Sequence, residues 1–392
     1  MIKRELESRL RQVAQQLPVV ALLGPRQSGK TTLARSTFQD HKYISLENLD
    51  MRDIAQKDPH QFLELYRNPH GIILDEFQNV PTLLSYIQTY VDQEKLKGYF
   101  ILTGSQNFLV NEAISQTLAG RIAILTLLPL SILELRDAKI LPTSPEELIF
   151  KGSYPRIYAE NVLPDIFYPS YILTYIERDV RQITKVTDLT TFKRFIQLCA
   201  GRIGQLLNIS SLATDAGISV PTARSWLSLL EASYIIFLLQ PHYRNFSKRL
   251  IKSPKLYFYD TGLASSLLGI ESAEQVGTHY LRGGLFECLV VSDMYKHYYN
   301  TGKQPRIYFW RDNHGHEVDC IMEKGQRLVP IEIKASRTIQ RDYFSGLDYW
   351  NKLAQQGNSS SFVVYAGDDY LPLKDGTILS WKMIDKIFET SE

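Results

Sequence analysis

The residues of this 392-residue chain with the most legible chemistry stand between positions 24 and 32. Gly24, Pro25, Arg26, Gln27, Ser28, Gly29, Lys30 and Thr31, followed by Thr32, set two glycines, a lysine and a hydroxyl at G-x4-G-K-[ST] spacing. They come directly after the apolar run Val19–Leu23 and open a stretch with helical periodicity. Glycines let successive backbone N–H groups face one phosphate, and a helix starting there adds the partial positive charge of its N-terminus. Lys30 is placed to reach terminal phosphates, and the Thr31 hydroxyl to ligate Mg²⁺. A chance match would lack the strand before and the helix after.

A second signal is independent of the first. The run Gly71–Leu74 closes on two carboxylates, Asp75 and Glu76. Alone, paired acids at a strand end read as a solvated edge. After a phosphate loop, Asp75 is expected to hold Mg²⁺ through water and Glu76 to polarise an attacking water. The run Tyr99–Ser105 ends in Thr103 and Ser105, where a polar side chain could sense the terminal phosphate. Arg121, opening the next apolar run, is read as a phosphate contact within its own or a neighbouring subunit, against a helix-capping role.

A third constellation lies near the C-terminus. Glu317–Met322 and Leu328–Lys334 flank a turn at Glu323–Gln326. With Lys324–Gly325 as a two-residue turn, Glu317 falls opposite Glu332 and Asp319 opposite Pro330. Val318, Cys320, Met322, Val329, Ile331 and Ile333 then share an apolar face, while Glu317, Asp319, Glu332 and Lys334 share the other. Asp319 and Glu332 on neighbouring strands, with Lys334 beside them, suit a Mg²⁺-dependent phosphodiesterase. A solvated face with cross-strand ion pairs is the alternative.

These groups need elements to position them. In the first 140 residues, five short apolar runs alternate with helical stretches at Thr31–Phe38, Met51–Leu65, Thr82–Gln93 and Phe108–Leu118, the pattern of a parallel sheet covered on both faces. Ile209–Ile236 reads as helix, turn and second helix from Thr222, followed by a strand-turn-strand. From Pro241 to Lys255 stand five basic residues (Arg244, Lys248, Arg249, Lys252 and Lys255) and no acid. With Arg224 on the second helix, Arg244, Lys248, Arg249 and Lys252 are the candidate DNA contacts; an interdomain spacer is the alternative.

Length and composition bound the rest. At roughly 100–200 residues per domain the chain holds several, and the boundaries fall at 1–140, 141–264 and 265–392. Hydrophobic residues at 44% and charged residues at 22% exclude a disordered or fibrous chain. A net charge of +2 neither demands nor excludes nucleic acid. Three scattered cysteines point away from disulfides and zinc, and toward a reducing compartment. No apolar run reaches bilayer length. The expectation is a cytoplasmic protein with no membrane partner.

These motifs resemble a known group. GPRQSGKTTLA, LDEFQNVPTLL, ILTGSQ and LAGRIAILTLLPLSILEL are similar to the AAA-type P-loop ATPases whose C-terminal half is the DUF4143 domain. The resemblance continues through YIERDV, KRLIKSPKLYFYDTGLA, GGLFECLV, WRDNHGHEVDCIM and IEIKAS, with Ser153 where the family often has glycine. It implies an α/β fold: a P-loop NTPase (AAA+) parallel sheet, a winged-helix middle and a C-terminal domain like the PD-(D/E)XK nucleases. In that fold Glu287 matches an acidic helix residue that joins Asp319, Glu332 and Lys334. The implied cofactors are ATP and Mg²⁺. The implied activity is ATP hydrolysis driving a conformational switch on DNA, with a possible homo-oligomer through the ATPase domain. An ATP-regulated nuclease and a non-catalytic ATP-binding scaffold are the rivals.

Overall fold

The computed structural model describes residues 2–94, 96–105, 117–176, 189–242, 252–340, 342–355, 357 and 361–389. Its first layer is a five-stranded sheet built from β1 (Val19–Gly24), β2 (Lys42–Ser45), β3 (Ile72–Asp75), β4 (Phe100–Ser105) and β5 (Ile122–Thr126). The order is β2-β3-β4-β1-β5 and every pairing is parallel. Continuous apolar strands are the consequence of two covered faces. Val19, Ala21 and Leu23 face α5 (Leu83–Glu94), after α3 (Leu49–Lys57) and α4 (Pro59–Leu65). Val20 and Leu22 face α1 (Leu6–Ala14) and α2 (Lys30–Thr37).

The single helix expected over Met51–Leu65 is two helices. Pro59 disfavours helical backbone at Asp58, and the Asp58 carboxylate instead caps α4 through the Gln61 N–H. Most of the helix expected at Phe108–Leu118 lies outside the described residues.

Beyond β5 come short helices: α6 (Ile132–Asp137), α7 (Pro145–Lys151), α8 (Pro155–Ala159) and α9 (Pro164–Tyr171). Next are α10 (Leu189–Ala200), α11 (Ile209–Ala216) and α12 (Val220–Ala232). Gly217, left-handed at φ +74°, ends α11, and Ser219 caps α12 with Pro221 in its first turn. The second helix thus begins two residues before the expected Thr222. Strands β6 (Ile236–Leu239) and β7 (Lys255–Phe258) then pair antiparallel.

The C-terminal layer follows α13 (Thr261–Leu267) and α14 (Ala273–Thr278). Helix α15 (Arg282–Asn300) covers one face of a six-stranded mixed sheet and α16 (Ser345–Ala354) the other. Its strands are β8 (Ile307–Arg311), β9 (Glu317–Lys324), β10 (Arg327–Lys334), β11 (Phe362–Tyr365), β12 (Tyr370–Leu373) and β13 (Gly376–Ser380), in the order β12-β13-β11-β10-β9-β8. One apolar cluster runs from Leu128 through the middle helices to Ile387, so these two parts share a core. Among the described residues no helix is long and apolar enough to cross a membrane.

A buried polar network binds the layers together. Asp260 accepts hydrogen bonds from the Ser153 N–H (2.7 Å) and hydroxyl (2.9 Å), the Tyr168 hydroxyl (2.7 Å) and the Leu263 N–H (2.9 Å). Lys296 of α15 donates to Ser153 Oγ (2.8 Å) and to the Leu130 carbonyl (3.1 Å). Asp293, one turn earlier, accepts the Ile132 N–H at 2.7 Å. Gly152 (φ +65°) has no room for a side chain, because a Cβ there would stand 1.9 Å from the Tyr168 hydroxyl.

Cutting this network should be costly. Asp260→Ala removes the acceptor of the Ser153 N–H and hydroxyl and of the Leu263 N–H, leaving Tyr168 only the Lys151 carbonyl, and Gly152→Ala forces Tyr168 off Asp260. Each is expected to destabilise the fold by about 3 kcal/mol or more, read as a lower urea midpoint. Wild-type midpoints would mean that the network is not a structural tie.

Candidate functional site

The phosphate loop forms where β1 gives way to α2. Gly24 (φ +148°) is compulsory, because a Cβ there would lie 2.2 Å from the Leu127 carbonyl oxygen. Gln27 and Gly29 take left-handed backbone (φ +59° and +94°), which curls Pro25–Gly29 over the start of α2. Lys30 is buried and folds back to donate to the carbonyls of Gly24 (3.1 Å) and Pro25 (2.7 Å). Burial lowers its pKa to about 8, against the opposing pull of Glu76 and Asp75.

The strand register brings the second signal to the first. Asp75 lies opposite Thr103, and Ser105 opposite Gly24, all at the C-terminal edge of the sheet. Asp75 Oδ1 accepts from the Thr31 hydroxyl (2.9 Å) and the Thr103 hydroxyl, and Oδ2 accepts from the Tyr43 hydroxyl at 2.8 Å. Burial and this contact push the Tyr43 phenol up to about 12. Glu76 adopts left-handed backbone (φ +54°) and lines the cleft with Lys30, Thr31 and Thr32.

The cleft measures about 690 Å³. Its other wall comes from Ile2 and Arg4 of the N-terminal segment and from Pro155 and Arg156 of α8. Sequence reasoning missed these four. Arg4 is buried and donates to Glu134 (2.9 Å) and to the carbonyls of Ser28 and Leu128 (2.7 Å each), so it braces the phosphate loop from behind. The loop glycines, the Lys30 ammonium and the Thr31–Asp75 pair suit a nucleotide with Mg²⁺. Arg26, Gln27 and Gly29 also line the cleft.

Arg121 stands elsewhere. Its carbonyl accepts from Val19 N, beside the first residue of β1, whereas the phosphate loop follows the last. At about 3.3 Å per residue that is a strand's length of roughly 16 Å. Its guanidinium is paired with Asp92 at 2.6 and 2.9 Å. A phosphate contact within its own subunit does not fit this placement.

The carboxylate hairpin forms with a different register from that expected. The turn is Gly325–Gln326, with Gly325 left-handed at φ +62°, so Lys324 pairs with Arg327 and Pro330 faces Ile321 in place of Asp319. A bulge in β9 also sets Trp310 opposite Val318 but Tyr308 opposite Ile321. Val318 therefore packs toward α16, while Cys320, Met322, Val329, Ile331 and Ile333 pack toward α15. The single apolar face is a sheet apolar on both.

The acids nonetheless converge, around a cation assigned in the sequence to the DNA-facing run. Lys255 is 3% exposed and reaches Glu287 (2.8 Å), Glu317 (2.5 Å) and Asp319 (4.0 Å). Those carboxylates raise its pKa despite burial. Glu287 also accepts from the Tyr257 hydroxyl at 2.5 Å, Asp319 from the Ile333 N–H at 2.8 Å, and Glu332 from Lys334 at 2.6 Å. Burial and the Asp319 charge push Glu287 up to about 7 and Glu332 up to about 8. The repulsion expected between bare carboxylates is offset by an internal ammonium. Among the described residues no set of His, Cys, Asp and Glu has a geometry that could hold a metal ion.

Of the candidate DNA contacts, Arg224 and Lys252 are exposed. Arg244, Lys248 and Arg249 lie outside the described residues.

Comparison with known proteins finds three family models along the chain. Residues 16–136 match the AAA domain model, 143–274 a domain of unknown function (DUF8612) and 282–384 another (DUF4143). Uncharacterized proteins of Mycobacterium tuberculosis and Mycobacterium bovis are each 30% identical over 96% of this chain and 82% of their own length. Among solved structures, the Walker-type ATPase paby2304 of Pyrococcus abyssi is similar at 15% identity over 68% of this chain and 96% of its own, with a TM-score of 0.44. The RuvB Holliday junction branch migration motor of Thermotoga maritima follows at 18% identity, 68% and 94% coverage and a TM-score of 0.31.

The Lys255 arrangement predicts that Lys255→Met strands buried carboxylates without their cation. The fold should lose about 3–5 kcal/mol, measured as a fall in the urea midpoint. An unchanged midpoint would mean that the carboxylates do not depend on Lys255 for their charge balance.

Proposed function

The chain belongs to the family of its mycobacterial relatives and carries an AAA domain at residues 16–136 and DUF4143 at 282–384, and from that premise we propose that it binds and hydrolyses ATP. One observation carries the reading: the Thr31 hydroxyl is bonded to Asp75 in a cleft that Lys30 and Glu76 also line. Loop amides and the α2 N-terminus would cradle the phosphates. Lys30 would exchange two carbonyl partners for phosphate oxygens. Thr31 and Asp75 would hold Mg²⁺, which supplies charge neutralisation at the phosphates. Glu76 would accept the proton of the attacking water.

The cleft also explains how such a cycle could be read out. Its far wall, Pro155 and Arg156, begins two residues after Ser153, the residue that Asp260 and Lys296 hold. Nucleotide seated there would touch the segment on which the middle and C-terminal layers converge. Arg121, remote from its own phosphate loop, is assigned to a neighbouring subunit in a homo-oligomer.

The finer reading sets this switch on DNA. It is supported by Arg224 and Lys252, exposed beside a helix-turn-helix and a two-stranded sheet, as a winged-helix reading requires. A nuclease is the weaker second reading, because a divalent cation would have to displace Lys255 from the carboxylates.

Two measurements test these readings. Lys30→Ala should abolish nucleotide binding or turnover, and Glu76→Gln should keep ATP while slowing phosphate release by about 100-fold or more. Wild-type turnover in both variants would sink the ATPase reading. For DNA, replacing Lys248, Arg249 and Lys252 together should weaken duplex binding regardless of base sequence. The log K against log salt slope should flatten by roughly 0.9 for each phosphate no longer neutralised. A wild type without duplex affinity at low salt would make the middle layer a spacer.

A further inference from the structure

We propose that Gln78 is a positioning residue for hydrolysis, the group that aims Glu76 by tying its carboxylate to Ser105; this rests on the ATPase reading above. The left-handed backbone at Glu76 turns the chain sharply after β3. A short 3₁₀ turn, Phe77–Asn79, then carries the Gln78 side chain back to the strand ends. Its amide nitrogen donates to Glu76 Oε2 and, at 3.1 Å, to the Ser105 hydroxyl oxygen. The two N–H groups of one carboxamide suffice for both acceptors.

The contact joins two parts of the site. Ser105 ends β4 and lies opposite Gly24, the first residue of the phosphate loop. Glu76 lines the cleft on the neighbouring side. Gln78 therefore links the carboxylate to the strand beside the phosphates. With Oε2 engaged, Glu76 keeps Oε1 for the water. A glutamate side chain has several rotatable bonds, and holding it in one geometry contributes to rate without contributing to ATP affinity.

The surroundings are built around this side chain. A Cβ at residue 104 would stand 2.3 Å from Gln78 Oε1, so Gly104 leaves the room that Gln78 fills. Gln78 Oε1 is buried and, among the described residues, accepts no hydrogen bond. Leaving a buried acceptor unmatched costs free energy. A methionine of similar length would avoid that cost and still fill the space. Glutamine at this position therefore serves what its nitrogen does.

The test is steady-state phosphate release, ATP binding by fluorescence titration and thermal melting on the full chain. Gln78→Met keeps the volume and Gln78→Glu the shape, and both remove the donors. Both are expected to lower kcat by about 10-fold or more while the ATP Kd stays within about 2-fold and the melting temperature holds. Gln78→Met with wild-type kcat overturns the proposal. So does a loss that follows ATP affinity or melting temperature. If the wild type releases no phosphate, the ATPase reading falls as well. Wild-type turnover with Gln78→Met unaffected overturns this proposal alone.

Discussion

Asp260 and Lys296, meeting on Ser153, are the interaction on which the remaining architecture depends. Buried groups of this kind persist only when their hydrogen-bonding capacity is met, and Asp260 takes four donors from three stretches of chain. Lys296 adds the Leu130 carbonyl, just past the five-stranded parallel sheet. Burial lowers the Lys296 pKa and raises that of Asp293 to about 7. Because Ser153 stands two residues before Pro155, the constraint also fixes one wall of the cleft beside the phosphate loop.

Internal cations recur as the device that joins separate parts of the chain. Arg4 spends its guanidinium on Glu134 and on two carbonyls, one of them in the phosphate loop. Glu134 in turn closes a capping box with Ser131 at the start of α6. Glu5 continues the chain of contacts to Ser131 (2.8 Å) and to Asn300 of α15 (2.9 Å). Lys255 does the same for the C-terminal layer, linking β7 to α15 and β9. Removing one partner of such a pair is far more costly than the pair is stabilising, so these contacts act as fixed joints.

The carboxylate hairpin shows why an acid motif does not by itself define a metal site. Glu317, Asp319 and Glu332 do gather, on the interior strands β9 and β10, with Glu287 from α15. Their electrostatics are set by Lys255 and Lys334, which lie within salt-bridge distance. The lysine that closes the basic run, outside the candidate DNA contacts, thus turns out to be the counter-ion of the acid cluster. The run Pro241–Lys255 held the signal: its last lysine opens the apolar strand Lys255–Phe258, all of whose residues are buried.

The sequence alone determined what is encoded in contiguous residues. Strand, glycine loop, lysine and helix follow one another between Val19 and Thr37, and Asp75 and Glu76 end a run whose apolarity requires a covered parallel strand. Local backbone preference and burial suffice for that, so the phosphate loop and the paired acids were legible. Tertiary structure alone decided which distant side chains share the same buried space. It set Arg121 at the far end of the sheet, Arg4 behind the loop, Gln78 between Glu76 and Ser105, and Lys255 among carboxylates. The hairpin register also escaped, because moving the turn by one residue shifts the pairing by two and leaves each side chain on the same face. Patterning cannot distinguish such alternatives; packing against α15 and α16, and the charge balance around Lys255, can.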